Sequence, residues 1–415
     1  MRKLKKPYNE INFDEQTMVS LYGESTAFHK ERMNVLFERF KEEFNVDGAY
    51  VASSSGRVEV CGNHTDHNGG KVVCCAISLD TLAMFLPTDD GQVYIKSEGY
   101  NDIIVDIDGM ETEKQGSPAS LVRGVAVYFK EKGYNVGGFN ACFTSNVLGG
   151  AGISSSASFE VLIAEIFNFL YNNSKISKEE KVFAAHFAEN KYFGKPCGML
   201  DQSAIAYGGL KKLDFSNKNK IKVTEIDNTL SSYTLILINT GGSHADLTDE
   251  YASIPQEMFS VAKALGKERL VEIKEEVFYN KIPAIKKSVC DRAINRAIHF
   301  YEENQRVDQV AFALDSNDYH LFLDAINASG ESSLWKLQNC YVGGSTEQPI
   351  PQAIALVKKH GFGGAVRVHG GGFAGSILNV VKNDKVDEFI KVMSKYFELK
   401  DIIPLRVRSV GTIVL

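Results

Sequence analysis

Residues 147–158 read VLGGAGISSSAS, and they stand between a predicted strand and a predicted helix. In the strand before them, Phe139, Ala141 and Phe143 alternate onto one face. In the helix after them, apolar residues recur from Phe159 to Leu170 at helical spacing. A glycine-rich turn that enters a helix presents free backbone amides and the positive end of the helix dipole. The stretch therefore predicts a loop that binds an anion, and a phosphate chain is its natural occupant.

Taken alone, the same stretch also fits a flexible loop with a serine helix cap. It is neither the P-loop pattern, because no Gly-Lys-Ser/Thr follows, nor the GxGxxG fingerprint. Two other segments bear on the choice. Residues 56–70, GRVEVCGNHTDHNGG, place charged and hydrogen-bonding groups between short apolar runs. Residues 367–376, RVHGGGFAGS, interrupt two predicted strands at 364–368 and 377–381.

These three segments, in this order and at these separations, resemble the three motifs of the GHMP small-molecule kinases. The first resembles the galactokinase signature, and the resemblance spans residues 20–415. It implies an α+β chain of mixed sheets and helices in two domains, with the active site in the cleft between them. The expected domains are residues 1–212 and 213–403, with a last strand in 404–415 that returns to the first domain.

Hydrophobic patterning predicts the remaining elements. Residues 1–22 are expected to be a polar, irregular lead-in. Helices are predicted near residues 30–44, 119–132, 181–192, 255–270, 289–304 and 385–397. Strands are predicted near residues 58–60, 72–86, 211–215 and 233–239.

Bulk composition restricts the classes of partner. The 415 residues carry a formal net charge of -6, which argues against a nucleic-acid surface. No apolar run is long enough for a membrane span, and the basic start leads into polar residues unlike a signal peptide. The seven cysteines form no CxxC pair, so free thiols in the cytoplasm are expected. We expect a monomer that binds only small molecules.

Phosphoryl transfer needs a phosphate cradle, a cation and a group that orients the acceptor hydroxyl. The resemblance implies that ATP is bound by the loop residues Gly149, Gly150, Ala151, Gly152, Ser154, Ser155 and Ser156. It implies that Ser156 and Glu189 hold Mg²⁺, and that Asp201 is the catalytic carboxylate with Arg57 as its partner. Without the resemblance, Glu189 could be a solvated helix residue and Asp201 a helix cap.

The resemblance also assigns the sugar contacts, which are Asn63, His64, Asp66 and Tyr251. A zinc site at His64, Asp66 and His67 is the rival interpretation, but no fourth ligand cluster is evident. Galactokinases usually have glutamate at position 63, where it meets the 6-hydroxyl of the sugar. Asn63 is neutral and can both accept and donate, so we expect it to tolerate a carboxylate at C6.

Other departures from the family pattern lie in all three motifs. They are His67 for tyrosine, Leu148 for proline, His369 for threonine and Ala374 for glycine. The lead-in to the first motif, residues 53–56, lacks its usual proline. Pro118 stands where some relatives have the tryptophan that stacks on adenine, so the nucleotide preference stays open.

The leading prediction is an ATP-dependent kinase that phosphorylates the C1 hydroxyl of galactose. The alternatives are the same chemistry on galacturonate or N-acetylgalactosamine, and a catalytically silent sugar sensor. Known sensors of this kind lack a Ser-Ala pair in the serine loop, whereas Ser156 and Ala157 are present here. The resemblance therefore favours an enzyme.

Overall fold

The computed structural model describes residues 6–23, 26–109, 113–147, 149, 152–227, 230–241, 247–373 and 375–415. The α-helices are α1 (Glu15–Tyr22), α2 (Thr26–Phe44), α3 (Pro118–Glu131), α4 (Ser155–Asn172), α5 (Lys178–Phe187), α6 (Leu200–Tyr207), α7 (Thr248–Ala264), α8 (Glu275–Ile285), α9 (Asp291–Asp315), α10 (Tyr319–Ser332), α11 (Pro349–His360) and α12 (Val386–Met393). Within the described ranges, no helix combines the length and apolar character needed to cross a bilayer.

The strands are β1 (Tyr50–Cys61), β2 (Lys71–Pro87), β3 (Gln92–Ser97), β4 (Ile103–Asp106), β5 (Phe139–Ser145), β6 (Leu210–Asp214), β7 (Lys222–Glu225), β8 (Tyr233–Asn239), β9 (Ala365–His369), β10 (Ser376–Lys382), β11 (Ile402–Leu405) and β12 (Ile413–Val414). The first sheet has the order β12-β1-β2-β5-β3-β4, and β6 pairs with both β2 and β7. The second sheet has the order β11-β8-β10-β9.

The expected boundary after residue 212 falls inside a strand. β6 pairs with β2, and its Leu213 lies opposite Val72 with both side chains fully buried. β7 pairs with β6 and so also belongs to the first sheet. The chain therefore changes sheets between β7 and β8, later than the sequence indicated.

β5 is the strand that was predicted before the glycine-rich turn. Phe139, Ala141 and Phe143 are buried in a core that β5 shares with α3 and α4. Cys142 points to the opposite face and is also buried, because α2 packs there. This segment is covered on both faces, so the loop that follows it begins from a rigid support.

The prediction of an irregular lead-in at residues 1–22 is wrong for its second half. α1 begins after Asp14, whose carboxylate accepts a 2.7 Å hydrogen bond from the backbone amide of Thr17. Met18, Leu21 and Tyr22 are buried against the core. Helical spacing of these apolar residues, rather than the polar composition, decides the structure.

The single last strand expected in residues 404–415 is two short strands on different sheets. β11 pairs with β8 in the second sheet, and β12 pairs with β1 in the first. Between them Arg408 is buried and donates to Ser53 Oγ at 2.7 Å and to the backbone oxygen of Gly411 at 3.1 Å. These anchors divert the chain from one sheet to the other.

The two sheets share an apolar core beside β1. Val58 and Ile77 from the first sheet lie in one cluster with Leu237 and Leu378 from the second. α9 and α10 contact both β1 and the surrounding elements at this junction. The residues at the end of β1 are therefore held by both halves of the molecule.

Candidate active site

Two charged side chains leave β1 on the same face and line a cavity between the two halves. Arg57 and Glu59 are two residues apart, so strand alternation directs them the same way. Only 5% of Arg57 and 2% of Glu59 is exposed. The cavity, which we call the central cavity, is lined by Arg57, Glu59, His64, Asp66, His67, Cys197, Gly198, Leu200, Asp201, Tyr251, Gly370 and Gly371.

Arg57 joins the central cavity to the glycine-rich turn. Its Nε donates a 2.7 Å hydrogen bond to Asp201 Oδ1, in the first turn of α6. Its Nη1 donates to the backbone oxygen of Gly152. Ser154 Oγ donates to the other carboxylate oxygen of Asp201. One arginine and one serine therefore fix the carboxylate relative to the turn.

The Asp201 carboxylate is held in its charged form. Burial favours the neutral acid, but the charge of Arg57 and the hydrogen bonds from Arg57 and Ser154 outweigh it, so the pKa of Asp201 lies below its ordinary value. The side chain is still 32% exposed. Asp201 can therefore accept a proton or a hydrogen bond from a group in the cavity.

The glycine-rich turn, here called the phosphate loop (residues 147–156), needs backbone conformations that favour glycine. Gly152 has φ of 73°, and a Cβ there would lie 3.5 Å from His369 Nδ1. A Cβ on Gly149 would have no described neighbour within 4 Å. Gly150 and Ala151, which the resemblance assigns to ATP, and Leu148 lie outside the described residues.

Ser154 is the residue before α4 and adopts a left-handed conformation, with φ of 66°. This conformation is uncommon for a residue with a side chain and costs on the order of 1 kcal/mol or more. Its hydroxyl does not cap the helix but bonds Asp201. The first turn of α4 therefore begins with Ser155 and Ser156, and Ser154 is committed to the carboxylate.

Ser156 and Glu189, the predicted magnesium ligands, lie side by side. Ser156 Oγ donates to Glu189 Oε1 at 3.2 Å, and Lys195 Nζ lies 3.1 Å from the same oxygen. Gln202 Nε2 donates to Glu189 Oε2 at 2.8 Å. Glu189 lies in the π-helical turn Ala188–Phe193, a type of turn often found at functional sites.

Glu160 is a second carboxylate in this neighbourhood, which sequence analysis did not identify. It is fully buried one turn after Ser156, and its Oε2 accepts from Gln202 Nε2 at 3.3 Å. Burial, followed by the charge of Glu189, raises the pKa of Glu160 well above its usual range. Glu160 therefore favours its neutral form more than an exposed glutamate does.

Three of the four predicted sugar contacts line the central cavity. His64 Nε2 lies 3.1 Å from the backbone oxygen of Gly371, and the ring is 5.3 Å from that of Tyr251. Burial lowers the pKa of His64 to about 3. Because its Nε2 must carry the proton for that bond, its buried Nδ1 is an acceptor with no described partner. Asp66 Oδ2 accepts from the backbone amide of Leu200 at 3.2 Å.

Asn63, the fourth, does not line the cavity. Its Nδ2 donates to the backbone oxygen of Gly370 at 2.8 Å and to the Glu59 carboxylate at 3.1 and 3.3 Å. Its Oδ1 accepts from Asn339 at 2.8 Å and from Ser333 at 3.3 Å. The side chain is fully buried one layer behind the wall, so the expectation that it faces C6 of a sugar is corrected.

Glu59 is the charged residue of the described cavity lining that sequence reasoning missed. Burial raises its pKa, and the charge of Arg367 opposes this rise. The signal was present, because a residue two positions after Arg57 on a strand must share its face. The choice of position 63 instead followed the family motif.

The third motif contacts the first through His369. His369 Nε2 accepts from the backbone amide of Glu59 at 3.1 Å, so its proton is on Nδ1. Ala374 and residues 242–246, which precede Tyr251, lie outside the described ranges. Pro118 begins α3, and Trp335 is exposed, so neither indicates an adenine contact. In the described part of the chain, no three His, Cys, Asp or Glu side chains are grouped as a metal site.

Comparisons with known proteins find related sequences and folds. The galactokinase galactose-binding signature matches residues 38–87, and the GHMP kinase N-terminal domain matches residues 120–209. A galactokinase of Clostridium beijerinckii is 32% identical over 372 residues, covering 88% of this chain and 94% of that protein. A galactokinase of Limosilactobacillus reuteri is 30% identical over 374 residues, covering 87% and 93%.

Solved structures share the fold. A galactokinase of Lactococcus lactis complexed with galactose has a TM-score of 0.81 at 24% identity, covering 92% of this chain and 100% of that one. A mevalonate kinase of Methanococcus jannaschii has a TM-score of 0.61 at 16% identity, covering 87% and 98%.

Proposed function

The chain belongs to the galactokinase family, and we propose that it phosphorylates the C1 hydroxyl of galactose to give galactose 1-phosphate and ADP. As a kinase of this family it uses ATP as the phosphoryl donor. The observation that carries the proposal is the link through Arg57, which bonds Asp201 on the cavity wall and Gly152 in the phosphate loop. A sugar in the cavity and phosphates on the loop would meet at Asp201.

Asp201 is proposed to orient the C1 hydroxyl and to accept its proton. Its lowered pKa keeps it ionised at neutral pH. Arg57 and Ser154 hold one carboxylate oxygen each, so the group cannot rotate freely. Holding the hydroxyl in line with the γ-phosphoryl group is the main contribution a protein makes to this loose transition state.

The phosphate loop is proposed to bind the phosphates of ATP through backbone amides from Gly149 to Ser156. Gly152 supports this role, because its positive φ and lack of side chain let an anion approach the backbone. The N-terminus of α4 adds the positive end of a helix dipole. Gly150 and Ala151 are included by family resemblance.

Mg²⁺ is proposed as the cation, with Ser156 and Glu189 as its protein ligands. The hydroxyl and carboxylate oxygens are 3.2 Å apart, so both can face one ion. Few protein oxygens, completed by phosphates and water, are the usual environment of Mg²⁺. When bound, the ion neutralises negative charge on the phosphates. Lys195 adds a second positive charge at the same place.

His64, Asp66 and Tyr251 are proposed to contact sugar hydroxyls. The buried Nδ1 of His64 is an acceptor, and the Asp66 carboxylate is another. The ring of Tyr251 stands beside that of His64 and supplies a phenolic hydroxyl. A pocket of fixed acceptors discriminates strongly against sugars that lack a matching hydroxyl.

The alternatives receive less support. Glu59, Asp66 and Asp201 place three carboxylates on the cavity wall, and these would repel the carboxylate of galacturonate. Among the described residues that line the cavity, none provides a feature that selects N-acetylgalactosamine. A silent sensor would not need the Arg57–Asp201 pair beside the phosphate loop.

The setting of the activity is also a proposal. All seven cysteines are free thiols, which suits the cytoplasm. We also propose that the protein is a monomer. We retain two domains, with the boundary between β7 and β8 and with β12 joined to the first.

The decisive experiment is ATP turnover by the purified protein on galactose, galacturonate and N-acetylgalactosamine, with Mg²⁺ present. Galactose should give the highest kcat/KM, with phosphate on C1 of the product. Galactose binding without turnover on any sugar would favour the sensor instead. Higher kcat/KM for either other sugar would replace galactose as the substrate.

A further inference from the structure

The wall of the central cavity contains a carboxylate that the family motif does not assign. Glu59 Oε1 accepts from Arg367 Nη2 at 2.7 Å and from Asn63 Nδ2 at 3.1 Å. Among the described residues, Oε2 has one longer bond, from Asn63 Nδ2 at 3.3 Å. A carboxylate can accept about four hydrogen bonds. Glu59 is therefore fixed by Arg367 and still has capacity for a donor in the cavity.

Asn63 has no such capacity. Its amide nitrogen serves Gly370 and Glu59, and its amide oxygen accepts from Asn339 and Ser333. An asparagine amide has two donor and two acceptor positions, and all four are used within the protein. A sugar could bond Asn63 only by breaking a buried contact.

The carboxylate of this segment is thus at residue 59 instead of residue 63. The side chains of Glu59 and Asn63 are in contact. The carboxylate of this chain is therefore four residues before the position usual in galactokinases, but close to it in space. Glutamate at both positions would place two buried carboxylates side by side, and their like charges would repel each other. Arg367, which pairs with Glu59, would then be shared by both. A negatively charged side chain is therefore expected at residue 59 or at residue 63, but not at both.

We propose that Glu59 recognises one hydroxyl group of the sugar and sets the preference for a neutral hexose. The identity of the sugar rests on the proposed function. The recognition itself depends only on a hydroxyl donor meeting the Glu59 carboxylate. Arg367 already neutralises part of the Glu59 charge, so a second anion gains little attraction and meets Asp66 and Asp201 as well.

The test combines Glu59→Gln with a set of 2-, 3-, 4- and 6-deoxy galactoses. Binding is measured by calorimetry without nucleotide. Glu59→Gln should weaken galactose binding about tenfold or more, because it replaces a charge-assisted bond by a neutral one. One deoxy sugar should bind the wild type as weakly as it binds Glu59→Gln, and this identifies the hydroxyl that Glu59 contacts. The other three should still lose affinity on substitution.

Two further variants separate recognition from folding. Glu59→Asp keeps the charge but retracts the carboxylate, so it should fold and still lose galactose affinity. Glu165→Gln removes a buried, ion-paired carboxylate outside the cavity and should keep galactose affinity within about twofold.

The inference is overturned if Glu59→Gln and Glu59→Asp both bind galactose like the wild type, or if every deoxy sugar loses the same factor in Glu59→Gln. Failure of the proposed function is a different result, since it appears as absent turnover of galactose by the wild-type protein. In that case the same deoxy comparison is made with the hexose that the wild type does bind.

Discussion

On the wall of the central cavity, Glu59 and Arg367 form an ion pair whose side chains are 3% and 0% exposed, whereas a Cβ on Gly149 in the phosphate loop would touch no described atom. Behind this wall, Asn63 has all its hydrogen-bonding positions filled by protein. The loop depends instead on backbone conformations, with φ of 73° at Gly152 and 66° at Ser154.

The two halves of the site are ordered by different kinds of interaction. Buried hydrogen bonds and ion pairs fix the cavity wall, so a sugar meets groups that are already in position. The loop is ordered by backbone geometry and by single bonds to Arg57 and Asp201. Substitutions on the wall should therefore act through charge, and substitutions in the loop through space and conformation.

The largest effect is expected where the two regions meet. Asp201→Asn should reduce turnover by about 100-fold or more, because it removes the charged acceptor for the C1 hydroxyl. Nucleotide affinity, measured by calorimetry, should stay nearly unchanged. Asp308→Asn, a half-exposed carboxylate outside the cavity, is the matched control and should keep full turnover. More than a tenth of wild-type turnover in Asp201→Asn would remove Asp201 from this role.

A second substitution tests whether the cavity wall is sensitive to an added buried charge. Asn63→Glu should lower the free energy of unfolding in urea by about 2 kcal/mol or more, because it places a carboxylate beside Glu59. Asn63→Gln has the same length without charge and should cost less. Adding Glu59→Gln to Asn63→Glu should recover at least half of the loss. Equal stability of Asn63→Glu and Asn63→Gln would contradict this account.

A third substitution tests whether the phosphate loop is sensitive to an added side chain. Gly152→Val should weaken ATP binding about tenfold or more, because valine is strained at positive φ and occupies space beside His369. Galactose binding without nucleotide should remain measurable. Gly99→Val has similar strain, with φ of 78°, in a turn away from the site. Both variants keeping wild-type ATP affinity would show that the loop does not hold the phosphates there.

The last test concerns pH and the wall, where the effect is spread over several pH units. His64 has its pKa lowered to about 3 by burial, so the unfolded chain binds its proton more readily between about pH 3 and 6.5. The free energy of unfolding should therefore fall as pH falls through that window, by roughly 1 kcal/mol per pH unit for this residue. His64→Gln should reduce the slope of the unfolding free energy against pH by the contribution of about one proton. His320→Gln, at an exposed histidine, should leave the slope unchanged. Identical slopes in all three proteins would show that the pKa of His64 is the same in the folded and unfolded states.

The family, the fold class and the strand–loop–helix around residue 147 could be predicted because their patterns are local. The residues gathered at the cavity were mostly found through the motifs. Two features could not be derived. The direction of the Asn63 side chain depends on the positive φ angles of its neighbours Gly62 and His64. The identity of residue 63 alone does not predict these angles. The break in the last strand depends on a distant pocket for Arg408.

The pairing of β12 with β1 has a consequence for biosynthesis. Ser54 and Thr412 share a 2.9 Å hydrogen bond although they are 358 positions apart. At a synthesis rate of about 5–20 residues per second, β12 is made on the order of 20–70 s after β1. Throughout that interval, the strand that carries Arg57 and Glu59 lacks its neighbour on one edge and is open to pairing with another nascent chain.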